Sequence, residues 1–248
     1  MSNNYKKILE SFCFLSCIKS IDGNVLFTRE FSSDSKHLPS QIISTLNSIF
    51  TYGDNYGFRI HSIDSNNFKI AWKMYHSNIT LILVEQIEPI DSKIYFDKLD
   101  LLFDSMVLMY GLDDLINITS VDKFQREIRV CFKLIDSILH ENHLNLDLFG
   151  GFITGCVDLV LTNEIGLFQN VLDTSCVSIN TSYACLIFNG RIITASSAWW
   201  QLKPIESHLI SLLCLTLSDS TCRDIPIYLP HQNPHVIIDF YKQIKCFY

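Results

Sequence analysis

Residues 68–84 read Phe68-Lys-Ile-Ala-Trp-Lys-Met-Tyr-His-Ser-Asn-Ile-Thr-Leu-Ile-Leu-Val84. In an extended chain successive side chains point to opposite faces. Phe68, Ile70, Trp72 and Met74 therefore share one face, and Lys69, Ala71 and Lys73 share the other. That alternation predicts a strand with one wet side. Ile79 to Val84 is apolar without a break, as in a strand covered on both faces. The stretch thus predicts two strands of one sheet, the second of them central.

Upstream, Phe58, Ile60 and Ile63 are interrupted by Arg59 and His61 and predict a third strand, nearer an edge. Ile42, Ile43, Leu46, Ile49 and Phe50 recur at helical spacing. Pro39 suits the first turn of that helix and Gly53 its stop. Before it, Phe12 to Ile18 is apolar on both faces, Ile21-Asp-Gly-Asn24 signals a turn, and Val25 to Phe27 restarts an apolar run. These predict a hairpin whose first strand is central.

Downstream, a helix is predicted from about Ser92 to Tyr110, closed by Gly111. A second begins near Ser120, a suitable N-cap. Its apolar face is Val121, Phe124, Ile128, Cys131, Phe132, Ile135 and Ile138. The order through residue 140 is ββ-α-βββ-αα. A five-stranded antiparallel sheet explains it, with one helix on one face and two on the other. This is an α/β (α+β) architecture.

Residues 140–155, with Gly150-Gly151, form the candidate boundary, placing domains at 1–145 and 146–248. Beyond it come a short apolar run from Cys156 to Leu161, a weakly helical stretch from Ile165 to Leu172, and a hairpin of Tyr183–Phe188 and Arg191–Thr194 about Asn189-Gly190. A helix over Pro204–Leu217 follows, with Ile205, Leu209, Leu212 and Leu213 on its apolar side. Ile225–Leu229 and Val236–Phe240 are then predicted strands. The pattern repeats ββ-α-ββ and stops, so the second domain is expected to be incomplete and the chain a fragment, an isoform or a truncated gene product.

Composition narrows the function. Of 248 residues, 48% are apolar and 18% charged, and the net charge is −7. Nucleic acid as main ligand is disfavoured, because phosphate backbones demand concentrated Lys and Arg. The longest apolar runs fall short of the ~20 residues of a membrane helix. Nine cysteines, an odd number with no C-x-x-C, point to free thiols in a reducing, cytosolic compartment.

Chemical motifs are sparse. No G-x-x-x-x-G-K-[ST] loop or G-x-S-x-G elbow occurs. Gly150-Gly151 with Gly155 reads as a linker, and Asp113-Asp114 as a solvated loop after Gly111. His140-x-x-His143 and His231-x-x-x-His235 lack the third and fourth ligands a zinc site wants. No cofactor, metal or catalytic residue is expected. Trp199-Trp200 suits either a partner anchor or a plug between helix and sheet, with one ring buried and the other partly exposed.

Several local stretches resemble the Fuzzy family of longin-domain proteins. They are Trp72–Leu83, Met106–Leu115, Leu134–Leu139, Trp199-Trp200-Gln-Leu202 and Arg223–His231, in the family's order. The resemblance covers most of residues 12 to 240, the N-terminal part of such proteins. It implies a longin fold followed by a second, incomplete longin-like domain, and a non-catalytic role in cilium assembly, planar cell polarity and vesicle trafficking. Implied partners are an Inturned-like longin/PDZ protein, the WD-repeat subunit of a CPLANE-type complex and a Rab-like small GTPase. The implied place is the cytoplasm, cytoskeleton and ciliary base. Exchange on the GTPase would work by differential binding, with no acid or base. The alternative is a longin adaptor or tether without exchange activity.

The family's sheet has its edges at the second and third strands, here Val25–Glu30 and Phe58–Ser62. Ile42, Leu46 and Ile49 are expected to form the core stripe of the first helix, leaving Ile43 and Phe50 to project towards the flank beside the third strand. The expected partner-binding residues are therefore Ile43, Phe50, Phe58, Arg59, Ile60, Trp199 and Trp200, with a wider core contact as the other reading of Ile43 and Phe50.

Overall fold

Five strands form one antiparallel sheet in the order β2-β1-β5-β4-β3: β1 (Cys13–Lys19), β2 (Val25–Phe31), β3 (Ser62–Asp64), β4 (Lys69–Tyr75) and β5 (Ile79–Glu85). The computed structural model describes residues 12–31, 38–65, 68–86, 92–140, 159–188, 190–217 and 223–242. The chain divides into two units, one of Met1–Phe103 with Asp114–Asn142, the other of Asp104–Asp113 with His143–Tyr248. The sheet belongs to the first.

Pairing fixes its two faces. Leu15, Leu83 and Ala71 lie abreast in register, and so do Ser16, Ile82 and Trp72. The second row lies beneath α1 (Ser40–Asn55), where Phe14, Ile18, Trp72, Ile82 and Val84 pack with Ile43, Leu46 and Phe50. The first row faces α2 (Ser92–Tyr110). Asp100 of α2 accepts from Lys73 Nζ at 2.7 Å and Tyr75 Oη at 2.9 Å. The central strands β1 and β5 are buried on both faces, as their unbroken apolar runs require.

The first helix differs from expectation. Its buried residues are Ile43, Leu46, Phe50 and Gly53, while Ile42 is exposed. Spacings of three and four residues fit both stripes. Pro39 opens the helix, and the docked stripe lies one residue on from the expected one. The flank orientation expected for Ile43 and Phe50 is thus corrected. The third strand is also shorter than expected, because Phe58 to His61 precede it in irregular backbone.

The predicted single helix from Ser120 is broken into α4 (Val121–Glu127), a 3₁₀ turn (Ile128–Cys131) and α5 (Phe132–His140). Ser120 caps it as expected, accepting from Lys123 N at 3.4 Å. At three residues per turn, positions i and i+3 eclipse, so Ile128 and Cys131 both point inward and both are buried. The apolar stripe survives although the helix does not. Asp113 and Asp114 lie on a short helix, α3 (Leu112–Ile116), and are exposed there.

The β4–β5 connection carries no glycine. His76 (φ 49°) and Ser77 (φ 58°) are both left-handed, and Asn78 N donates to Tyr75 O at 3.1 Å. Two positive φ values match the twist of a tight hairpin but cost an L-residue roughly 1–2 kcal/mol each. Ser77→Gly relieves one of them against a glycine entropy cost of roughly 0.5–1 kcal/mol. A gain of up to about 1 kcal/mol in thermal unfolding is expected. A lower midpoint would show that the turn relaxes in solution.

In the second unit α6 (Ile165–Ile179) lies along the hairpin β6 (Cys185–Phe188) and β7 (Arg191–Ala195), with Thr194 Oγ1 bonded to Gln169. Leu159 bridges Ile192 in parallel. After a 3₁₀ turn at Trp199–Gln201 comes α7 (Pro204–Thr216), then a second hairpin, β8 (Arg223–Leu229) with β9 (Asn233–Lys242). The two hairpins are separate two-stranded sheets. Glu206, fully buried, accepts from the backbone N–H of Lys203 (3.0 Å), His231 (2.9 Å) and Gln232 (3.1 Å). One carboxylate thereby satisfies a helix N-terminus and a hairpin turn. Gly150-Gly151, Gly155, Asn189, His143, the first three residues of the run from Cys156, and Cys222 and Cys246 lie outside the described residues, as does the side chain of His235.

Candidate partner-binding surface

The exposed end of α1 is built by two glycines. Beyond Asn55 the chain reverses at Gly57 (φ 78°), and Phe58 N donates to Gly53 O at 3.0 Å. A Cβ on Gly53 would stand 2.9 Å from Phe58 O and 3.2 Å from its ring. Only glycine lets the returning strand come this close. The reversal leaves the Phe58 side chain half exposed. Tyr52 in the last turn of α1 and Tyr56, its C-terminal cap, have ring centroids 4.5 Å apart and are 59% and 68% exposed. Arg59 Nε reaches Asp54 Oδ1 at 3.2 Å.

The ridge so formed carries Tyr52, Tyr56, Phe58 and Arg59, with Ile42 exposed farther up the helix and Ile63 on β3. Tyrosine and arginine are the residue types enriched where interfaces concentrate their binding energy. Among the described residues strand β3 pairs with β4 alone, and its other edge is open to pairing. The opposite edge, β2, is braced: Arg29 makes a two-pronged pair with Asp136 of α5 at 2.7 and 2.5 Å and stacks over Phe132.

Of the residues singled out from the sequence, Phe58 and Arg59 lie on this ridge, and Ile60 is partly buried against the core. Ile43 and Phe50 lie within that core. Trp199 is 3% exposed and Trp200 50%, as expected, but through a 3₁₀ turn rather than strand alternation. Ile42, Tyr52 and Tyr56 were not anticipated. The signal available for them was the i, i+4 pair of tyrosines flanking Gly53. Among the described residues no group of three or more His, Cys, Asp or Glu is arranged to hold a metal ion, and no helix is long and apolar enough to cross a membrane.

The sheet order and its two helical layers are those of a longin unit, and residues 13–138 match the family described as the first longin domain of FUZ, MON1 and HPS1. The chain belongs to the FUZ, MON1 and HPS1 longin family. Residues 179–241 match that family's second longin domain. The chain is 33% identical over 228 residues to Protein fuzzy homolog of Xenopus tropicalis, and 33% identical over 225 residues to Protein fuzzy homolog of Homo sapiens. These alignments cover 92% and 90% of this chain and 53% of each relative. The chain thus spans about half the length of the curated relatives it matches. In this longin chain the aromatic ridge lies inside the first matched domain, and Trp200 inside the second.

Proposed function

We propose that this longin protein is a non-catalytic scaffold that pairs with an Inturned-like longin protein and, in a CPLANE-type complex with a WD-repeat subunit, binds and regulates a Rab-like small GTPase. The reading divides the chain into a first longin domain over residues 1–145 and a second over 146–248. It places the work at the ciliary base and cytoskeleton, in cilium assembly, planar cell polarity and vesicle traffic. The observation that supports it best is the ridge of Tyr52, Tyr56, Phe58 and Arg59 beside the β3 edge, which is unpaired among the described residues. A neighbouring longin domain docks helix to helix on the ridge while its own edge strand approaches Ser62–Asp64. Ile60 supports the ridge from below, and Trp200 offers a separate anchor in the second unit.

The ridge residues are exposed, so charge there disturbs docking and leaves the core alone. Tyr56→Asp with Arg59→Glu is expected to cut co-purification of the co-expressed Inturned-like partner at least tenfold, with an unchanged thermal midpoint. Undiminished co-purification places the interface elsewhere. Nucleotide release from the GTPase, timed with and without the assembled pair, tests the exchange step. An unchanged rate leaves binding without exchange.

A further inference from the structure

We infer that the outer face of α4, the 3₁₀ turn and α5 is a second docking surface, one that takes an acidic segment of a partner protein. The inference stands apart from the ridge at β3 and does not rest on the reading above. Four of the chain's 19 lysines and arginines fall between Lys123 and Lys133, in a protein of net charge −7. The 3₁₀ turn explains their display. Because Ile128 and Cys131 both point inward, Arg129 and Val130 straddle the outward direction between them. Arg126 and Lys133, one turn before and one after, are exposed on the same side.

Lys123 is already engaged with Glu127 at 3.8 Å. Arg126, Arg129 and Lys133 have no acidic partner among the described residues. Val130, 58% exposed, sits among the three cations as an aliphatic spot. Cations surrounding one small apolar side chain complement a run of carboxylates that carries one apolar residue.

An anionic membrane fits less well. Each basic residue near such a surface gains roughly fivefold in affinity, and Asp122 and Glu127 on the same segment offset two of the four. Val130 is also too short to insert among acyl chains, where such faces present Trp, Phe or Leu. A protein segment can place its carboxylates between the acids of the strip, which a uniform lipid surface cannot do.

The test uses the whole chain and a fluorescein-labelled dodecapeptide of glutamate and aspartate around a central leucine, read by fluorescence anisotropy. Saturable binding that weakens with added salt is expected, together with at least a tenfold loss in Arg126→Glu/Arg129→Glu. A loss of several fold is expected in the neutral pair Arg126→Gln/Arg129→Gln, which guards against misfolding of the reversal. Arg191→Glu/Lys203→Glu makes the same change in net charge elsewhere on the exposed surface and should bind as the parent does. No binding by the parent chain overturns the inference. So does equal loss in the control pair, or binding to phosphatidylserine–phosphatidylcholine vesicles in preference to the peptide.

Discussion

Trp72→Ala is expected to destabilise the first unit by ~3–5 kcal/mol, the range of large-to-small changes at buried aromatic positions. Trp72 is fully buried on β4, abreast of Ile82 on β5 and beneath Ile43, Leu46 and Phe50 of α1. It joins strand to helix, so its loss opens a void that neither layer can fill by itself. Its Nε1 has no hydrogen-bond partner among the described residues. An unpaired buried donor carries a desolvation cost, so Trp72→Phe, which removes the donor and keeps most of the apolar volume, is expected to cost only about 1–2 kcal/mol. Urea unfolding of the two variants measures both. An alanine variant with an unchanged midpoint would put Trp72 at the surface. Phenylalanine and alanine variants of equal stability would mean that the indole is held by a polar contact rather than by packing.

That face assignment was legible because β4 alternates cleanly and one face of the sheet is covered by a single helix. The central places of β1 and β5 were legible from their unbroken apolar runs, while the edges at β2 and β3 came from the resemblance to longin proteins. Helix registers were less determinate. Residues 42, 46 and 49 and residues 43, 46, 50 and 53 both make acceptable stripes, and only docking on the sheet selects the second. The 3₁₀ turn at Ile128–Cys131 left no mark in the apolar pattern, because i, i+3 spacing belongs to both helix types. The tight turn at His76-Ser77 lacks the Asn or Gly that would announce it.

The candidate ridge was half legible. Phe58 and Arg59, singled out for an edge strand, are exposed as that reading requires, although they precede β3 rather than belong to it. Tyr52 and Tyr56 escaped because a helix's outward face is known only once its inward face is fixed. The register error moved attention to Ile43 and Phe50, which pack in the core, and away from Ile42. Trp200 was anticipated, but the backbone that exposes it was not.

Removing the ammonium of Lys98 is expected to be as costly as removing Trp72, for the opposite physical reason. Lys98 on α2 and Glu85 on β5 are each 1% exposed, and their Nζ and Oε1 atoms lie 2.5 Å apart. Cys13 donates its thiol to the same carboxylate oxygen at 3.1 Å. Burial, and then the Glu85 charge, push the Cys13 thiol well above its usual range and the Tyr95 phenol up to about 12. Tyr95 therefore contributes stability that is whole below about pH 10 and lost as pH rises through its raised value. Lys98→Met takes away the cation that faces the Glu85 carboxylate, and breaking a buried ion pair by removing one partner costs ~3–5 kcal/mol. Protonating Glu85 relieves the variant, since burial without the Lys98 ammonium raises the carboxyl above its unfolded value of about 4.3. Its deficit should accordingly shrink as pH falls towards about 4, since a raised folded pKa favours folding below the unfolded one. Replacing both partners, Lys98→Met with Glu85→Leu, removes the desolvation problem and should recover most of the loss, because an apolar pair of similar volume often matches a buried ion pair. Guanidinium unfolding of the single and double variants at pH 7 and pH 5 closes the cycle. A single variant within about 1 kcal/mol of the parent at pH 7 would mean that water reaches the pair, and a double variant no better than the single would mean that these side chains hold α2 on the sheet by their hydrogen bonds rather than by their volume.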